Sequence, residues 1–147
     1  YQALPKADKM ETLIETFERR DVQIATLKKE ISQQEALFSP NVVKVIDTPD
    51  GMALYFSRQP LPYLRGTEPE QWMCHHTYYK HIGIYAFRMD TLRQLVQLAQ
   101  TPLEKCESLE QLRWLENGYR IAVRETTTEN LSVDTPEDLN RLKYHTL

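Results

Sequence analysis

Along residues 9–20 the apolar positions Met10, Leu13, Ile14 and Phe17 recur at intervals of three and four, which predicts one face of an amphipathic helix. Asp8 is placed to cap it and Glu11 to close a capping box. Val22, Ile24, Thr26 and Leu27 predict a short strand, and the polar residues 28–40 an irregular connection with room for a helical turn. Two β-rich runs, 42–47 and 52–58, flank Thr48, Pro49, Asp50 and Gly51, an order that suits the tight reversal of an antiparallel hairpin. Residues 59–76 carry Pro60, Pro62, Gly66 and Pro69 and predict a long loop or arm, of the kind that covers a site or reaches a partner subunit. Residues 79–87 predict a strand, 91–99 and 105–117 helices, and 119–124 a returning strand, with Gly118 where a helix C′ glycine belongs. Leu131, Ser132 and Val133 form a strand too short to stand alone, and Thr135, Pro136, Glu137 and Asp138 open a last helix. Helices alternating with strands around one hairpin predict an α/β domain with a mixed sheet.

Composition narrows the function classes. The 147 residues are 41% apolar and 27% charged, ordinary for one globular domain. With 18 basic against 21 acidic residues and a net charge of -3, there is no electrostatic footprint for nucleic acid or an anionic membrane. No apolar run is long enough to span a bilayer, and residues 1–8 lack the pattern of a secretory signal, so a soluble, cytoplasmic protein is expected. Cys74 and Cys106 are expected as two reduced thiols; Cys74, His75, His76 and His81 match no standard zinc spacing. The four glycines are isolated, so no phosphate-cradling loop is present.

Several positions suit chemistry. On the strand through 79–87, alternation puts Tyr79, His81, Gly83, Tyr85 and Phe87 on one face, with Gly83 either the floor of a pocket between His81 and Tyr85 or the site of a bulge. Arg58 ends the second hairpin strand, where a guanidinium either forks onto a carboxylate or phosphate or is simply solvated. Glu107, Glu110, Gln111 and Trp114 share a helix side opposite Leu109, Leu112 and Leu115; a Glu beside a Gln suits sugar hydroxyls and equally an ordinary wet face. Asp134 falls between a strand and a helix N-terminus, the crevice where open α/β sheets bind ligands, where a carboxylate either shares a magnesium ion or caps the helix.

The series Ala53 to Arg58 with Pro60 and Pro62, then His81 to Tyr85, then Leu109 to Arg113, then Val133 to Leu139 resembles the CMP-Kdo synthetases (3-deoxy-manno-octulosonate cytidylyltransferases), in order and approximate spacing from about residue 9 onward. The resemblance implies a mixed, mostly parallel sheet of the nucleotide-diphospho-sugar transferase (Rossmann-like) type, with residues 1–147 as the C-terminal sugar-acid-binding and dimerisation part of a single domain. It implies a cytoplasmic, Mg²⁺-dependent homodimer that transfers CMP from CTP to Kdo and releases pyrophosphate, for lipopolysaccharide biosynthesis. By the same resemblance Arg58, His81, Tyr85, Glu110 and Gln111 match the sugar-acid pocket and Asp134 the C-terminal metal-binding, catalytic aspartate. Arg58 or His81 is expected at the Kdo carboxylate, Glu110 and Gln111 at its hydroxyls, and Tyr85 as pocket lining. The family's N-terminal nucleotide loops and second metal aspartate have no counterpart here, so the chain alone is expected not to assemble a CTP pocket and to expose a sheet edge prone to swapping or aggregation. Two other readings are a CMP-sialate-type synthetase, which shares the chemistry but not the motif series, and a noncatalytic dimerisation or sugar-binding module.

Overall fold

The computed structural model describes residues 3–19 and 21–127. Its elements run α1 (Ala3–Thr16), β1 (Ile24–Glu30), α2 (Gln34–Phe38), β2 (Lys44–Asp47), β3 (Ala53–Ser57), a 3₁₀ turn (Pro69–Gln71), α3 (Trp72–His75), β4 (Tyr79–Phe87), α4 (Met89–Leu95), α5 (Pro102–Glu107), α6 (Gln111–Glu116) and β5 (Ile121–Glu125). The expected strand 131–133, the last helix and Asp134 lie outside the described residues.

The first helix starts earlier than its apolar spacing suggested, so Asp8 and Glu11 fall within its span rather than at its N-terminus. Ala3, Leu4, Lys6 and Ala7 are strong helix formers, and Pro5 falls in the first turn, where its missing N–H is not needed. Leu13 is buried and Phe17 packs beside it, whereas Met10 and Ile14 face outward.

The five strands form one sheet in the order β3-β2-β4-β1-β5. It is mixed, as expected, but not mostly parallel over this stretch: β1–β4, β2–β3 and β2–β4 are antiparallel and only β1–β5 is parallel. The hairpin and the reversed β4 set that balance, and the parallel expectation came from the family's whole fold rather than from these residues. The edge of β5 is partly covered: the Val123 N–H donates to the Gly51 carbonyl at 2.8 Å, and Met52 bridges to Ala122. Gly51 takes φ +84°, a conformation side chains rarely adopt, and a Cβ there would push aside the Arg124 guanidinium, whose Nη1 would lie 2.5 Å away.

Alternation along the strands separates two cores. Ile24, Val45, Phe56, Ile121 and Val123 meet Leu95, Leu109, Leu112 and Trp114 of the α4–α6 layer. On the opposite face Ala25, Leu27, Ile82 and Ala122 meet Leu13 and Val22. The arm at 59–76 is not free of regular structure. Its 3₁₀ turn and α3 pack Trp72 against Ile31, Leu37 and Tyr78, while Trp72 Nε1 donates to the Thr67 carbonyl at 2.9 Å and the Tyr78 hydroxyl to Pro62 at 2.9 Å. Large aromatic area explains why a proline-rich segment folds back onto the body.

The helix expected over 105–117 is two helices. Ser108 adopts φ 56°, ψ 48°, a left-handed conformation that ends α5 and lets α6 start in a new direction. Gly118, at φ +85°, follows α6 in the same conformation, as its position predicted.

Candidate active site

Strand β4 supplies the first part of the site. Its pairing with β1 slips between Thr26, opposite Tyr85, and Leu27, opposite Ile82, so Gly83 and Ile84 bulge out of register. Gly83 therefore lies in a bulge, one of its two sequence readings; it is exposed, and nothing stands within 4 Å of where its Cβ would be. The Thr26 side chain fills the inside of the bulge, with Oγ1 2.7 Å from the Ile84 carbonyl, 3.2 Å from the Ile82 carbonyl and 2.9 Å from His81 Nε2.

His81 and Tyr85 are adjacent as the alternation required, with ring centroids 5.4 Å apart. His81 also meets Phe56 edge-on at 4.8 Å, and burial pushes its pKa down to about 4 from 6.5. The unfolded ring binds a proton near 6.5 and the folded ring only near 4, so the unfolded chain binds more protons between those values. Stability from this group is fully present above pH 6.5 and is lost as pH falls toward 4, a loss of up to about 3 kcal/mol. Urea unfolding across that window is expected to show this acid limb in the wild type and a flatter one in His81→Gln.

Tyr85 stands edge-on to Trp114 at 5.1 Å and lines a cleft of about 340 Å³ with Phe87, Leu95, Glu110, Arg113 and Trp114. Burial, and then the negative charge of Glu110, raises the Tyr85 hydroxyl well above the usual phenol range, so it serves as a hydrogen-bond donor at every physiological pH. Glu110 is exposed at the N-cap of α6, and Gln111, next to it, is only 6% exposed. The wet face drawn from spacing does not exist as such: Gln111 and Trp114 are buried along with Leu112, because the break at Ser108 resets the direction of the helix. Arg113, which lines the cleft, is held by Glu104 through Nε at 2.8 Å and Nη2 at 2.5 Å.

Arg58 is not an open fork. Its Nε donates to the Glu107 carbonyl at 2.6 Å, Nη1 to Pro40 at 2.9 Å and Nη2 to Ser108 at 3.3 Å. Its own N–H donates to the Glu107 carboxylate at 2.9 Å, and the Tyr55 hydroxyl reaches the same carboxylate at 3.1 Å. Burial works against the Glu107 charge, but these bonds and one from Ser57 outweigh it and hold the carboxyl below its usual range. Arg58, Tyr55 and Glu107 thus fasten the bend from which Glu110 and Gln111 project. Beneath them lies Lys44, fully buried, whose Nζ donates to the carbonyls of Ser39 and Val42 at 2.6 Å each and of Arg58 at 2.8 Å. Burial and then the nearby Arg58 push this ammonium down to about 8, against the pull of Glu107, so it stays charged at neutral pH. Nothing in the sequence singles out Lys44, since an isolated lysine in a hairpin strand reads as solvated.

A larger cavity, of about 650 Å³, opens between the arm and β2, with Asp47, Cys74, His75 and His76 on its walls. No group of three or more His, Cys, Asp or Glu among the described residues is arranged to hold a metal ion, and the expected magnesium ligand Asp134 lies outside them. Cys74 and Cys106 are both free thiols.

Known proteins share this fold. The cytidylyltransferase family model matches residues 3–125, nearly the whole described chain. The chain belongs to the cytidylyltransferase family. It is 52% identical over 125 residues to a 3-deoxy-manno-octulosonate cytidylyltransferase of Cytophaga hutchinsonii, covering 84% of this chain and 50% of that one. It is 48% identical over 137 residues to the enzyme of the same name from Porphyromonas gingivalis, covering 91% and 54%. A solved structure of CMP:2-keto-3-deoxy-manno-octonic acid synthetase complexed with CTP superposes with a TM-score of 0.78 at 38% identity, covering 93% of this chain and 54% of that one. These cytidylyltransferases bear out the resemblance drawn from the four motifs and the α/β fold with a mixed sheet. The chain spans about half the length of the curated relatives it matches.

Proposed function

We propose that this chain supplies the sugar-acid side of a CMP-Kdo synthetase, which joins CTP and Kdo to give CMP-Kdo and pyrophosphate for lipopolysaccharide biosynthesis. One observation carries the reading: Tyr85 and Glu110 line one cleft beside His81, in a chain 52% identical to a named Kdo cytidylyltransferase. In this reaction the anomeric hydroxyl of the sugar acid attacks the α-phosphorus of CTP and pyrophosphate leaves, so the protein's work is to align the two reactants and screen their charge. The Glu110 carboxylate accepts from sugar hydroxyls and Tyr85 donates, whereas Gln111 is buried in the body beside them and fits a part in shaping the pocket better than direct contact with the sugar. Arg58, whose guanidinium is engaged with three carbonyls, fits a part in shaping the pocket better than direct contact with the Kdo carboxylate. Mg²⁺ bound with the help of Asp134 supplies charge neutralisation at the phosphates. Homodimer formation is proposed with it, supported by Tyr63 of the arm, which is 76% exposed, as are a cytoplasmic location and CTP as the nucleotide.

Pyrophosphate release from CTP, Kdo and Mg²⁺ tests the reading, with the 147-residue chain compared with the same chain extended N-terminally by its gene. Release by the extended form, abolished by Asp134→Ala, is expected. Release with sialate but not Kdo would move the assignment to the sialate-type synthetases, and Kdo binding without release in either form would move it to a binding module. In the active form Glu110→Ala is expected to lower kcat/KM for Kdo about tenfold to a hundredfold, the loss typical of a hydrogen bond to a charged group, while KM for CTP moves little.

A further inference from the structure

We propose that Thr26 is a positioning residue that fixes His81 as the Nε2–H tautomer, so that the ring offers a ligand only an acceptor, Nδ1, and selects a sugar hydroxyl over a carboxylate. The inference rests on the reading of His81 as part of the sugar-acid site, but its core is a matter of counting hydrogens. The Thr26 hydroxyl has one hydrogen and three polar neighbours: the Ile84 carbonyl at 2.7 Å, the Ile82 carbonyl at 3.2 Å and His81 Nε2 at 2.9 Å. A carbonyl oxygen only accepts, so the hydrogen goes to the carbonyl side, where Ile84 gives the shortest contact. Were it turned to His81 instead, two carbonyl oxygens would face the lone pairs of Oγ1 with nothing between them. Oγ1 therefore accepts from the ring, Nε2 carries the proton, and Nδ1 is left with its lone pair.

The surroundings keep the choice firm. Thr26 is 0% exposed, sits inside the bulge and contacts both carbonyls that the slipped register brings to it, so its rotamer has little freedom. Lys28, opposite His81 in the register, turns its ammonium to Asp47, Glu107 is bonded to Tyr55 and Arg58, and the rings packed on the imidazole are Phe56 and Tyr85. Burial further disfavours the doubly protonated ring that a carboxylate would need. This differs from the pairing of His81 with the Kdo carboxylate expected from the sequence, and it leaves His81 to accept from a hydroxyl.

The test begins with ¹⁵N-histidine-labelled protein at neutral pH, with the His81 signals among the four histidines identified by their loss in His81→Gln. A pyrrole-type Nε2 and a pyridine-type Nδ1 are expected. An Nδ1–H tautomer, or an even mixture, overturns the proposal whether or not the protein activates Kdo, so its failure is separate from that of the functional reading. Thr26→Val is expected to release the tautomer preference and Thr26→Ser to keep it. In the form that releases pyrophosphate, Thr26→Val is further expected to raise KM for the sugar acid about threefold to tenfold with kcat changed less than twofold, and Thr26→Ser to stay near wild type. A kcat loss with the tautomer intact would mark Thr26 as merely structural and overturn the positioning role. If the substrate proves to be another sugar acid, the same measurements are made with that acid.

Discussion

Lys44→Met is expected to lower the unfolding free energy by about 2–6 kcal/mol, the range for leaving two buried acceptors without a donor. The ammonium is fully buried and reaches three carbonyls. The Ser39 carbonyl keeps a second partner, the N–H of Val42 at 3.2 Å, so the loss falls on Val42 and Arg58. Methionine fills nearly the same volume, which separates the lost donors from an empty space. A buried charge also carries a desolvation cost, and in some proteins an apolar replacement is neutral or stabilising. Here the carbonyls cannot be replaced along with the lysine, so the orphaned acceptors decide the sign. Urea unfolding checks it; a variant as stable as the wild type would show that the ammonium is a net burden on this fold. Because Arg58 loses its carbonyl partner, the bend at 107–108 is expected to loosen as well.

Trp114→Ala is expected to cost about 3–5 kcal/mol, the range for truncating a large aromatic side chain in a core. The ring is 6% exposed, packs in the main cluster with Leu112, and stands edge-on to both Tyr85 at 5.1 Å and Phe87 at 5.4 Å. Since it also lines the cleft, truncation removes the wall against which Tyr85 is held. Trp114→Phe retains an aromatic edge and is expected to lose less than half as much. The comparison is made by denaturant unfolding with the slope checked for constancy, so that a change in midpoint reads as stability. A cost below about 1 kcal/mol for the alanine variant would mean that the indole contributes little to the core.

What the sequence revealed and what it hid divide along the range of the interactions. Strand β4 was legible to the residue because alternation over Tyr79–Phe87 is a local property, and the hairpin was legible because Pro49, Asp50 and Gly51 specify a reversal on their own. The pairing of His81 with Tyr85 followed from the same alternation. The start of α5 was also written in the chain, as Thr101 and Pro102 followed by Glu104, whose carboxylate accepts the Thr101 N–H at 3.2 Å; apolar periodicity drew attention past it. Other features depend on distant partners. Arg58 meets carbonyls 18 to 50 residues away, and Lys44 is buried where the stretch just before it, through Ser39 and Val42, and the end of the next strand, through Arg58, turn carbonyls toward it. The bulge at Gly83 and Ile84 needs β1 as a ruler, and no strand carries that register alone. Serine at 108 bears no mark of a left-handed residue, so the helix read straight through it.

That one residue has a consequence for which insertions and deletions the chain tolerates. Each helical residue rotates the next side chain by about 100°. In an unbroken helix Glu107 and Gln111, four apart, would share a face and compete for the same surroundings. With the chain turned left-handed at Ser108, Glu107 reaches back to Arg58 and Tyr55 while Gln111 goes into the body and Glu110 keeps the cleft. Loss of a single codon between 107 and 110 would fuse the two helices and rotate every later side chain out of phase. Length variation among relatives should therefore collect in the stretch at 96–100, upstream of the Thr101 cap, and avoid the three residues between Glu107 and Gln111.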